Sequence, residues 1–175
     1  MYQIHKFGLS ESLNPKLYDR VNENLLENLE NDPRGSDYIG GRRTKMTLHA
    51  ENIREVDLLI NWIQNLLPQV STKFASRDEE KFYLYDANAF KIVECWGLTY
   101  NKGESLMEHC HFPMTLSFTY MVRSPFGSSP LIIENKPVKL KEGECVFFLS
   151  SDYHSVKSNK CDGRCTIVGN VLYYP

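Results

Sequence analysis

Four side chains have the types and spacing for metal and anion chemistry: His109, His111, His154 and Arg164. Along an extended segment successive side chains alternate, so His109 and His111 share a face and Cys110 points away. Two imidazoles at that spacing can grip one metal ion, and His154, behind another apolar run, offers a third nitrogen. Imidazole suits iron, zinc, copper and nickel alike, so ligand type alone leaves the metal open. The common iron set is two histidines and one carboxylate. Here His111 stands where Asp or Glu would be wanted; Asp152 is the nearest even-spaced carboxylate that could substitute, and Glu108 faces the wrong way on a regular strand. A lone histidine is more simply a strand residue bonded locally, but His-x-His with a third histidine in a β context favours the metal. Arg164, ten residues after His154, opens the last apolar run, where a turn would bring it beside the His154 strand. Its guanidinium can hold a carboxylate bidentately. The plain alternative is a strand-end arginine in a surface ion pair; beside three histidines, anion binding is preferred.

The elements that must place these groups are mostly strands. Residues 2–7 alternate weakly, as an edge strand does. Asn14-Pro15 carries the signature of a helix start, with an N-cap asparagine and proline at the first helical position. Leu17, Val21, Leu25 and Leu29 would bury one stripe of that helix until residues 31–35 stop it. Residues 35–47 form a glycine-bearing basic loop without the spacing of a phosphate cradle, near a binding mouth where Arg42 and Arg43 could face an anion. His49 has no partner at ligand spacing. A second helix is expected from about residue 50 to residue 67, with Ile53, Val56, Ile60, Ile63 and Leu67 on one side and Pro68 ending it. From residue 81 onward, six β-branched and aromatic runs are separated by turn signals at 101–103, 125–130 and 141–143. Short strands at this spacing imply a sandwich or jelly roll with helices outside.

The chain has 175 residues, 42% hydrophobic and 24% charged, which suits one domain: a helical flank over 1–80 and a β core over 81–175. A formal charge of −2 calls for neither nucleic acid nor membrane. No apolar run is long enough to span a bilayer, and the N-terminus is too polar for a secretory signal. Five cysteines without finger spacing are read as reduced thiols of a cytoplasmic protein, with no disulfide.

The order of motifs resembles the iron(II)- and 2-oxoglutarate-dependent oxygenases, and within them a small group with a His-x-His-Pro motif found in marine bacteria and their phages. The resemblance is carried by Trp96, Gly103, His109-Cys110-His111-Phe112-Pro113, Leu116 to Val122, Phe148 to Val156, Arg164 through Asn170, and the upstream segment 36–41. It implies a double-stranded β-helix (jelly-roll, cupin-like) core with two flanking helices. It maps His109 and His154 onto the two histidine ligands of Fe(II), His111 onto the usual carboxylate position, and Arg164 onto the arginine that holds the distal carboxylate of 2-oxoglutarate. The implied enzyme is a dioxygenase that hydroxylates a C–H bond of a small-molecule or peptide substrate, releasing succinate and carbon dioxide. The sequence departs from the pattern in three places: the carboxylate ligand is missing, Phe112 is inserted before the proline, and Leu149 replaces a proline.

Two other readings stand beside this one. Gly103 followed by His109-x-His111, and Gly143 followed by His154, partly fit the two cupin motifs, which would make a three-histidine metalloenzyme of the thiol-dioxygenase kind without 2-oxoglutarate. A non-enzymatic binding module on the same fold would retain no metal. Tyr120 is a tempting co-substrate contact, but on an unbroken strand Ser117 and Thr119 would share the histidine face and Tyr120 would not; Pro113 interrupts that strand.

Overall fold

The computed structural model describes residues 1–26, 40–75 and 86–174. Its longest strands are β3 (Phe90–Tyr100) and β10 (Arg164–Tyr173), both rich in β-branched and aromatic residues. They pair antiparallel from Arg164 opposite Tyr100 to Tyr173 opposite Phe90. On the other side of β10 lies β5 (Leu116–Arg123), then β8 (Glu144–Leu149), and finally β1 (Tyr2–Lys6) at the edge. A two-residue strand, β2 (Arg42–Arg43), closes the opposite edge beside β3. The second sheet is smaller, in the order β4 (Leu106–His109), β9 (His154–Val156), β6 (Leu131–Ile133) and β7 (Lys136–Val138). Antiparallel strands in two facing sheets, with two helices outside, make a jelly roll.

Side-chain alternation on the larger sheet sorts residues between two cores. Leu116, Phe118, Tyr120 and Val122 of β5 face the helices, together with Cys145, Phe147, Cys165 and Ile167. Met121, Val146, Phe148, Trp96, Leu98 and Tyr100 face the smaller sheet. Because β5 is covered on both sides, it is buried along all but its last residue.

The helix layer consists of α1 (Ser10–Glu23) and α2 (Arg54–Ala75). Leu13, Leu17 and Val21 of α1 and Val56, Leu59, Ile63, Leu67 and Val70 of α2 recur at helical spacing and pack onto the sheet. The sheet admits α1 closely at Gly97, where an added Cβ would lie 2.7 Å from the Val21 side chain.

Both helices depart from their expected boundaries. α1 begins at Ser10, a turn before Asn14, and ends at Glu23. Asn14 is not its cap: the side-chain amide donates to Val122 O (2.9 Å) and accepts from Tyr120 Oη (2.6 Å). A polar residue spent on tertiary bonding is free of its capping role. α2 runs through Pro68 to Ala75, and the Pro68 carbonyl accepts from the hydroxyls of Ser71 and Thr72. Burial of Val70 beyond the proline holds the last turns against the sheet. Part of the expected loop at 35–47 is instead strand β2, and Arg43 is buried, donating to Thr44 O rather than facing outward. Leu29, the stop at 31–35, most of the segment 36–41, and strand residues 81–85 lie outside the described residues. All five cysteines are free.

Candidate metal centre and anion pocket

His109 ends β4 and sits opposite His154, the first residue of β9. An irregularity between Leu106 and His109 turns Leu106 inward and leaves Met107 and Glu108 exposed. His111 follows the strand and is anchored by its backbone N–H to Ser150 O at 2.7 Å. One ligand atom from each of the three imidazoles lies within 4.8 Å of the others, the spread one metal ion can bridge. Ring centroids are 4.2 Å apart for His109 and His154, 4.9 Å for His109 and His111, and 5.0 Å for His111 and His154. Asp152 is not in this group; its carboxylate lies 3.6 Å from the N-terminal ammonium.

The two paired histidines are oriented alike. His109 Nδ1 lies 2.8 Å from Met107 O, and His154 Nδ1 lies 3.1 Å from Asp152 O. A carbonyl can only accept, so each Nδ1 carries the proton and each Nε2 presents a lone pair. Such carbonyl partners orient metal-binding histidines generally. Burial, aided by the neighbouring His109, lowers the His154 pKa to about 4, so it is neutral at physiological pH.

Arg164 enters from the opposite side. β10 lies in the larger sheet between β3 and β5, and not beside β9 as the sequence suggested. Its guanidinium is 1% exposed, lies 5.0 Å from the Tyr100 ring centroid, and donates from Nε to Ser129 O at 3.2 Å. Nη2 is buried without a hydrogen-bond partner, and no carboxylate pairs with Arg164 among the described residues. Burial pushes the Tyr100 hydroxyl up to about 12, partly offset by the Arg164 cation, so the pair is a cation against a neutral phenol.

One narrow cavity of about 30 Å³ between the sheets is lined at one end by His109, His111 and His154 and at the other by Arg164 and Tyr100. Its walls include Leu106, Leu131 and Val156 from the small sheet and Ser117, Thr119 and Thr166 from the large one. Tyr120 faces the helices. The sequence reading had no role for Tyr100 or Glu94. Even spacing along β3 was the available signal: Glu94, Trp96, Leu98 and Tyr100 share the inward parity. The amide of Asn170, on β10, donates to Glu94 Oε2 at 2.7 Å and accepts from Ser117 Oγ at 2.9 Å.

No protein-family model and no curated protein matches the chain. Solved structures do. A prolyl-4-hydroxylase from Pseudomonas putida superposes with a TM-score of 0.68 at 14% identity, over 99% of this chain and 92% of that one. The viral collagen prolyl hydroxylase of Paramecium Bursaria Chlorella virus-1, solved with 2-oxoglutarate, gives 0.63 at 12% identity over 97% and 94%. The non-heme alpha-ketoglutarate-dependent epimerase SnoN from nogalamycin biosynthesis gives 0.65 at 11% identity over 99% and 80%. The chain has the fold of 2-oxoglutarate-dependent iron oxygenases. At these identities the likeness speaks for the fold alone. Among the described residues no helix is long and apolar enough to cross a membrane.

Proposed function

We propose that the protein is an Fe(II)- and 2-oxoglutarate-dependent dioxygenase, with the metal in the cluster of His109, His111 and His154 and the co-substrate's distal carboxylate on Arg164. The observation that carries this reading is the shared cavity: a histidine cluster at one end, and at the other a buried guanidinium with an unpaired Nη2. An unpaired buried donor is costly, and a carboxylate bound there would satisfy it. The bare Nε2 atoms of His109 and His154 suit a divalent transition metal. The residues present therefore fit both groups.

When bound, iron and 2-oxoglutarate supply, with dioxygen, the oxidation of a C–H bond, releasing succinate and carbon dioxide. The chain's own part is positional. Arg164 fixes the far end of a linear dicarboxylate, and Tyr100 and the Ser129 carbonyl hold the guanidinium in place. Leu106, Leu131 and Val156 keep the slot apolar and short of water.

The test is anaerobic titration of the Fe(II)-loaded protein with 2-oxoglutarate, following the visible charge-transfer band. The band should appear in the native protein, vanish in His109→Ala, and require at least about ten-fold more 2-oxoglutarate in Arg164→Ala, consistent with loss of a buried charged hydrogen bond. Iron bound without any band would favour the three-histidine cupin chemistry that the missing carboxylate allows. A protein that takes up no iron would be a binding module on this fold.

A further inference from the structure

The three histidines do not receive the same hydrogen bond. His109 and His154 each face a carbonyl through Nδ1. His111 Nδ1 instead faces the side-chain amide nitrogen of Asn170, 3.4 Å away. That amide cannot be turned round freely. Its nitrogen also donates to Glu94 Oε2 at 2.7 Å, and reversing it would set the Asn170 oxygen against the carboxylate. The hydroxyl on its other side imposes nothing, since Ser117 Oγ can donate or accept and is itself 2.8 Å from Ser150 Oγ. Asn170 is 2% exposed and Ser150 fully buried, so water does not compete for these positions.

The orientation of the amide decides the tautomer of the imidazole. A nitrogen facing an N–H donor must accept, so His111 Nδ1 is the bare nitrogen and the proton sits on Nε2. That is the reverse of His109 and His154. We infer that Asn170, locked by Glu94, holds His111 as an Nε2–H donor beside the metal position and not as a third nitrogen ligand, so that His109 and His154 carry the metal. Glu94 and Asn170 are positioning residues, acting through His111. The inference rests on the metal reading above and assigns a different task to one member of the cluster.

The tautomer is observable without metal. Long-range proton–nitrogen correlation spectra of the metal-free protein with labelled histidine should show His111 protonated at Nε2, and His109 and His154 protonated at Nδ1. A proton on His111 Nδ1 would overturn the inference. The second measurement is Co(II) affinity by competition titration. His109→Ala and His154→Ala should each lower it more than about 100-fold, while His111→Ala, removing a neighbour, lowers it less than about ten-fold. In Glu94→Gln the Asn170 amide is released to turn, because glutamine can offer either a donor or an acceptor. His111 Nδ1 can then carry the proton and its Nε2 can ligate, so in that background His111→Ala should cost more than about ten-fold. Equal losses for all three histidines in the native background would overturn the inference while leaving the metal reading intact. Failure to bind Co(II) at all would overturn the metal reading and, with it, the division of labour among the histidines.

Discussion

Asn14 shows what a single buried amide does here. It joins the first helix to β5 through Tyr120 Oη and Val122 O. Asn14→Ala strands a buried phenol and a carbonyl together, so urea denaturation should show a loss of about 2–3 kcal/mol with an unchanged m-value. Gly169→Ala tests packing: an added Cβ would meet the backbone oxygen of Glu94 and the buried Phe118 ring at 2.5 Å. Overpacking of this kind should cost about 1–3 kcal/mol in the same assay. His109, His111, His154 and Arg164 stood out in the sequence because their chemistry is unusual wherever they stand, while Tyr100, which lines the same cavity, did not. Glu94 and Asn170 were not, because a carboxylate and an amide are ordinary on a strand until register sets one against the other. Asn14 was read as a cap for the same reason: the local signal was present and a distant partner outbid it.

At the level of elements, strands were easier to place than helix ends. Alternation and turn residues marked β3, β5, β6, β8 and β10 directly, but nothing local could tell that β9 joins β4 and β6 while β10 joins β3 and β5. Pairing in a jelly roll is non-local, and loop composition does not encode it. Pro68 misled in the opposite sense. It removes one backbone bond from α2, yet the apolar stripe continues beyond it and tertiary packing holds the helix to Ala75. Pro68→Ala restores an N–H and relieves the ring's clash with the preceding turn, against a smaller entropic loss in the unfolded chain. The variant should be more stable by about 1–2 kcal/mol, seen as a higher Tm; a lower Tm would mean the proline itself is needed for the fit to the sheet.

Across the whole molecule, burial has placed neutral histidines where acid must charge them. His154 is held at about 4, and His5 and His49 are also lowered chiefly by burial. Their folded pKa values lie below the unfolded value near 6.5, so below that pH the unfolded chain binds more protons than the native one. Stability of the metal-free protein should therefore fall as pH drops from about 6.5 to about 4, by on the order of 3 kcal/mol from His154 alone, and then level for that group. Unfolding midpoints measured across that range would check the slope; His154→Ala should flatten it. The strand β10 carries a further consequence. Arg164 stands at one end of it and Asn170, level with the histidine cluster, stands six residues on, a run of about 20 Å at the rise of an antiparallel strand. The strand is thus a caliper with a cation at one jaw and, at the other, the amide that meets the histidine cluster. Inserting one residue between them would turn a jaw to the helix side, and inserting two would keep both facing in but open the gap by about 7 Å. On the proposed function, the length of diacid that fits the slot is set by the number of residues between Arg164 and Asn170.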